Sequence, residues 1–109
     1  MNMEQTVDNV IQWAKDRNII GGATALAQQD KLEEEVKELR DALEANDGVE
    51  IVDAIGDSMV VLTIQAAQLG LRVEDCFKSA YDTIKHRKGK LVDGKFIKQE
   101  DFEKYGISE

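Results

Sequence analysis

Apolar residues recur along this chain every three to four positions, the spacing of one-sided helices. Between about Glu4 and Arg17 they fall at Val7, Val10, Ile11 and Ala14, and between about Thr24 and Ala45 at Leu32, Val36, Leu39 and Leu43. A third segment, about Val49 to Leu69, carries a seam of Ile51, Ile55, Met59, Leu62, Ala66 and Leu69. Its second half, SMVVLTIQAAQL, is apolar on nearly every side, so this helix is expected to be covered on most of its faces. A fourth segment, about Val73 to Arg87, repeats Val73, Phe77, Ala80 and Ile84. Gly21-Gly22, Asn46-Asp47-Gly48, Gly70, Gly89 and Asp93-Gly94 punctuate the chain, and there is no proline.

After Arg87 the period changes. KLVDGKFI alternates around Asp93-Gly94, the two-residue signal for a type I′ hairpin. The closing QEDFEKYGISE is expected to form one helical turn or to fray. The pattern therefore predicts an all-α fold, a helical bundle of about four helices per chain with a small C-terminal β-hairpin, in a single domain over residues 1–109. The third helix has more apolar faces than so short a chain can cover. The bundle is accordingly expected to be completed by oligomerisation, as a homodimer or homotetramer.

Charge narrows the partners. With 22 acidic against 14 basic residues and a formal charge of −8, the chain would repel a nucleic-acid backbone, so no polymeric nucleic acid is expected as a partner. No apolar run approaches the roughly 18 residues of a membrane span, and MNMEQTVDNV lacks the basic start and apolar core of a signal peptide. A cytoplasmic protein with no membrane partner is expected. The single cysteine, Cys76, excludes an internal disulfide or a thiolate metal cluster and is expected to be a small buried apolar side chain.

The acidic residues concentrate in KLEEEVKELRDALEANDGVEIVDAIGDSMVVL, residues 31–62. At about 100° per residue, the Leu32/Val36/Leu39/Leu43 seam puts Glu35 and Glu38 together on one flank, Glu33 on the other, and Glu34 toward solvent. In the next helix Glu50, Asp53 and Asp57 share a stripe that runs on into Val60 and Ile64. Asp57 then lies at the buried boundary, where an unpaired carboxylate is costly. With about 1.5 Å of rise per residue, Asp57 lies about 13 Å from the intervening turn, Glu38 about 12 Å and Glu35 about 16 Å. An antiparallel hairpin thus sets Asp57 level with the gap between the two glutamates, with Asp53 one turn nearer the loop and Glu50 almost at it. Carboxylates meeting at one level repel one another unless a cation lies among them, and oxygen-only donors select Mg²⁺ or Mn²⁺. A di-iron bundle would need Glu-x-x-His pairs, and the only histidine, His86, has Thr83 three residues before it.

These residues also carry a resemblance. KLEEEVKEL followed by DAIGDSMVVL resembles the all-α NTP pyrophosphohydrolase superfamily, which includes MazG and the dimeric dUTPases, and most of all its short, phage-type MazG-like members. That family's pattern is an E-E-x-x-E block, a spacer and an E-x-x-D block. Glu34, Glu35 and Glu38 match the first block and Asp57 the aspartate of the second; QWAKDRNI, AAQLGL at residues 66–71 and AYDTIKHRKGK extend the likeness. Ala54 stands where the second block's glutamate is expected, with Asp53 the substitute ligand; the literal E-x-x-D from Glu50 to Asp53 lies too near the turn to face Glu35.

The resemblance implies Mg²⁺-dependent hydrolysis of (deoxy)nucleoside triphosphates to the monophosphate and pyrophosphate, with water attacking the α-phosphorus. It implies Glu35, Glu38, Asp53 and Asp57 as metal ligands, Glu35, Glu38 and Asp57 as the catalytic set, and Glu35 or Asp53 as acceptor of the water's proton. Lys85, Arg87, Lys88 and Lys90 follow the fourth helix, and the resemblance places a lysine and an arginine of this region beside the phosphate tail, with Lys85 and Arg87 favoured. Trp13 and Gln28 are the candidates for the base, by stacking and by hydrogen bonding. Two other readings stand beside it: a non-catalytic helical module that oligomerises and binds protein, and a nucleotide sensor without turnover because of Ala54.

Overall fold

Helices begin in this chain where a side chain is available to cap them. In the computed structural model, which describes residues 1–108, Asn2 accepts from the Gln5 amide at 2.8 Å while the Gln5 side chain accepts from the Asn2 amide at 2.8 Å. This capping box opens α1, Met3–Asp16. Thr24 accepts from the Ala27 amide at 3.0 Å to start α3, Ala25–Glu44, and Asp47 accepts from the Glu50 amide at 3.2 Å to start α4, Gly48–Gln68. Each such cap contributes about 1 kcal/mol. Between α1 and α3 lies a single helical turn, α2, Ile19–Gly22, entered through Asn18 at φ 57°. Gly21-Gly22, read as punctuation, are thus the end of a short helix. The fifth helix, α5, runs Val73–Ile84, one turn shorter than the apolar pattern suggested, since the chain leaves the helix before Lys85.

The described chain groups into two compact units, Met1–Cys76 and a second beginning at Phe77. The first is built on the antiparallel α3–α4 hairpin, turned through Asn46 at φ 52°. Gln65, near the end of α4, donates to the Ala25 carbonyl at 3.1 Å and to Gln29 Oε1 at 3.0 Å at the start of α3, which locks the two rods side by side. Helix α1 packs against α4 and buries Val7 and Ala14, and Gln68 of α4 donates to the Ile19 carbonyl at 3.2 Å. Arg72 reaches Asp8 of α1 at 2.8 Å and Glu74 of α5 at 2.6 Å.

The core of this unit is small-residued: Val7, Ala14, Ala42, Ala54, Val61, Ile64 and Ala66. That corrects the seams read from apolar spacing. In α3 the covered positions are Glu35 and Ala42, while Val36 and Leu43 are 53 % and 57 % exposed. In α4 the covered stripe passes through Ala54, Val61 and Ile64, and Ile55, Met59, Leu62 and Leu69 remain exposed. Apolar spacing counts every face that some surface must cover; the chain itself covers one of them.

In the second unit, β1 (Gly89–Val92) pairs antiparallel with β2 (Lys95–Lys98), Gly89 opposite Lys98 and Val92 opposite Lys95. Asp93 and Gly94 both have positive φ, 51° and 78°, as a type I′ turn requires. A 3₁₀ turn, Gln99–Asp101, follows, and Phe102, 4 % exposed, is this unit's buried aromatic. Cys76 is exposed rather than buried. Among the described residues no helix is long and apolar enough to cross a membrane.

Candidate active site

Helix α3 turns Glu35 inward onto the face shared with Ala42 and with half-buried Gln28, seven residues and about 10 Å earlier along the axis. Glu35 is 5 % exposed, and its Oε2 is buried without a hydrogen-bond donor. Its Oε1 meets Lys31 Nζ at 3.3 Å, and the same ammonium stands 3.6 Å from Glu34, whose side chain points to solvent. Sequence reasoning passed over Lys31, although its place four residues before Glu35 is the spacing at which helical ion pairs form. Leaving an acceptor oxygen dry and undonated costs about 1–3 kcal/mol, and more when it is charged.

Glu38 lies exposed one turn further along α3, close enough to share a proton with Glu35. That sharing, open only when Glu38 is protonated and absent when both groups are ionised, and then the charge of Glu35, hold the Glu38 carboxyl above its ordinary 4.5. Across the hairpin, α4 presents Asp53 in the open and Asp57 half-buried. Burial first, then the charges of Asp53 and Glu35, push the Asp57 carboxyl above its ordinary 3.8. Lys31 is raised in turn, mainly by its hydrogen bond to Glu35. The four predicted ligands therefore form two pairs, one on each rod, that feel one another's charge. Among the described residues no three acidic, imidazole or thiol groups close into a finished metal cage.

Two depressions flank the pairs. Toward the turn, a cleft of about 290 Å³ is lined by Glu38, Asp41, Asp47, Glu50 and Asp53 over a floor of Ala42, Ala45 and Ala54. Ala54, the departure from the E-x-x-D pattern, is buried at 3 % and belongs to that floor. Glu50, set aside as too near the turn to face Glu35, shares this cleft with Glu38 and Asp53. Asp41, three residues after Glu38 and so on its side of the helix, was not singled out by sequence. On the other side, between α1 and α4, an apolar groove of about 460 Å³ runs past Val7, Val10, Val52 and Val60, with Asp53 and Asp57 at its lip.

Trp13, on α1, is 46 % exposed, and the Arg17 guanidinium stacks 4.3 Å from its ring centre while donating to the Trp13 carbonyl at 3.0 Å. Lys85 is engaged by Asp82 at 3.2 Å. Arg87 lines a cleft of the second unit with Lys88 and Lys98.

The chain matches the family described as phosphoribosyl-ATP pyrophosphohydrolase over residues 11–88, a stretch that holds both acid pairs and ends just before the hairpin. Over 67 residues it is 40 % identical to an uncharacterized 18.2 kDa protein in the rep-hol intergenic region of Haemophilus phage HP1 (strain HP1c1). That alignment covers 62 % of this chain and 41 % of the phage protein, so the chain spans well under half of that relative's length. No solved structure matches. With most of its length inside the family match and the acid blocks placed on one helical hairpin, the chain belongs to the phosphoribosyl-ATP pyrophosphohydrolase family, within the MazG-like all-α NTP pyrophosphohydrolase superfamily.

Proposed function

We propose that this chain is a divalent-cation-dependent nucleotide pyrophosphohydrolase that splits (deoxy)nucleoside triphosphates into the monophosphate and pyrophosphate, with water attacking the α-phosphorus. The observation that carries the reading is Glu35: a covered carboxylate with an undonated oxygen, beside Glu38 and in the field of Asp57. Such a group is retained at a cost of stability unless something positive completes it, and Lys31 alone satisfies one oxygen. Family membership supports the same chemistry.

The donors fit a hard dication, since they are all carboxylate oxygens. Glu35, Glu38, Asp53 and Asp57 would hold Mg²⁺, or Mn²⁺ in its place. When bound, the ion offsets phosphate charge and lowers the pKa of water at the site. The chain's own groups do the rest. Glu35 or Asp53, through an oxygen not used as a ligand, accepts the water's proton as its oxygen bonds to the α-phosphorus and the bridging oxygen leaves with pyrophosphate. The apolar α1–α4 groove at the lip of Asp53 and Asp57 receives the nucleoside. Thr63 beside it donates its hydroxyl to the Met59 carbonyl at 2.7 Å and Thr6 to the Asn2 carbonyl at 3.1 Å, so neither hydroxyl's proton is spare to read a base edge. Gln28 and Trp13 are proposed as additional base contacts, and Lys85 and Arg87 as phosphate contacts carried over from the superfamily likeness.

The exposed Ile55, Met59, Leu62 and Leu69 support assembly as a homodimer or homotetramer. The exposed thiol of Cys76 suits a reducing cytoplasm, where nucleotides and Mg²⁺ are also found. We propose no polymeric nucleic-acid or membrane partner.

The test is to incubate the protein with each NTP and dNTP, and with phosphoribosyl-ATP, in the presence of Mg²⁺ or EDTA and to identify products. Monophosphate and pyrophosphate formed only with Mg²⁺ uphold the proposal. Diphosphate and phosphate would mean attack at a different phosphorus, and turnover of phosphoribosyl-ATP alone would replace the substrate class.

A further inference from the structure

Charge divides between the two units. Residues 1–76 carry six lysines and arginines against sixteen acids, whereas residues 77–109 carry eight against six. Around the hairpin these cations are occupied very differently. Lys85 is held by Asp82 at 3.2 Å. Lys90 donates to the Ser108 carbonyl at 2.6 Å and lies over the Phe102 ring. Arg87 and Lys88 have no carboxylate partner among the described residues, and Lys98 meets only Glu100, at 3.6 Å. Arg87, Lys88 and Lys98 line one cleft of about 270 Å³, together with Gln99 and Glu100.

The backbone brings the three residues that carry these cations to the rim of one cleft. The Gln99 amide donates to the Lys88 carbonyl at 2.9 Å, and strand register sets Lys98 opposite Gly89, the residue after Lys88. A Cβ at Gly89 would strike the Phe96 ring and the Ile97 carbonyl, so the strands approach there more closely than a side chain allows. Neighbouring cations held in this way repel one another, and an exposed pair such as Lys98–Glu100 contributes little and is readily exchanged. A phosphate chain offers what the cleft lacks: several oxygens, matched to a guanidinium fork and two ammonium groups.

We infer that Arg87, Lys88 and Lys98 form an oligophosphate subsite at the base of the hairpin, with Lys98 a binding residue contributed from beyond the family's matched segment, residues 11–88. The choice of a phosphate chain as ligand rests on the proposed hydrolase reading, but binding there needs no metal. Lys85, paired with Asp82, does not line this cleft.

The experiment is isothermal titration of the full chain with inorganic tripolyphosphate in EDTA at low salt. Lys98→Ala is expected to weaken binding roughly fivefold to tenfold. Lys98→Arg, which keeps the charge, retains it, as does Lys104→Ala, an exposed lysine of the same unit. Unchanged binding by Lys98→Ala overturns the subsite, and so does an equal loss in Lys104→Ala, which would mean only diffuse attraction. Parallel titrations with ATP and pyrophosphate assign the subsite to substrate or to product: a Lys98-dependent loss with either upholds it, and none with both overturns it. Because no turnover is read, a protein without hydrolase activity can still pass this test, and an active one can fail it.

Discussion

Asp57 is penalised for being ionised in the folded chain, because burial and the charges of Asp53 and Glu35 raise its carboxyl above the 3.8 of an unfolded chain. A carboxyl whose folded pKa is raised favours the fold while protonated, and that advantage is lost as pH rises from the unfolded value through the folded one. Asp57→Asn is therefore expected to raise the melting temperature of the metal-free protein at pH 7, with the gain shrinking toward pH 3.8 and below; calorimetry in EDTA measures it. The same change is expected to lower kcat/KM by at least about 100-fold, since removing a ligand should cost more than disturbing the groups that orient one. A variant less stable than the parent in EDTA would remove the strain argument. Helical angle and axial height nominated Glu38 and Asp57 in sequence, and the charge of Glu35 reaches both. Glu35 was not placed correctly: read as a flank, it is the covered centre of its face, because the core beside it is made of Ala42 and Ala54, which register weakly in any apolar count.

Elements were easier to read than faces. The caps at Asn2, Thr24 and Asp47 and the Asp93-Gly94 turn are local chemistry, fixed by residues within a few positions, so the long helices and the hairpin follow from the sequence with ends shifted by one residue or one turn. Helix α2 escaped because glycines at 21 and 22 are poor helix formers held in a turn by tertiary contact, including the Gln68 hydrogen bond to Ile19. Arg72 is another tertiary tie without a sequence signature. Its guanidinium hydrogen bonds hold the Glu74 carboxyl below its ordinary 4.5 while also binding Asp8 on α1. A lowered folded pKa contributes stability present above 4.5 and lost as pH falls through the folded value. Arg72→Met should melt at a lower temperature than the parent at pH 7, the gap narrowing as pH drops below 4.5. A gap that does not change with pH would mean that the loss is one of packing and not of charge.

At the scale of the whole molecule, what sequence reported as the apolar surround of the third helix divides into a covered stripe and an open one. Leu62 belongs to the open stripe, so Leu62→Glu leaves a single chain's own packing largely untouched. The variant is expected to sediment as a monomer with its helical circular dichroism intact, whereas the parent sediments as a dimer or tetramer. A monomeric parent at about 100 μM would remove the assembly from the proposal, since the stripe would then be surface alone. The carboxylate pairs are the other whole-molecule question, for they come from two rods and can act together only in the folded hairpin. The most direct measurement is Mn²⁺ binding followed by electron paramagnetic resonance, with a non-hydrolysable triphosphate analogue present, for the parent, Glu38→Gln on α3 and Asp57→Asn on α4. Saturable binding weakened about tenfold or more by either substitution is the predicted result. Binding that ignores both substitutions, or that depends on one helix only, would contradict a cation held between the two.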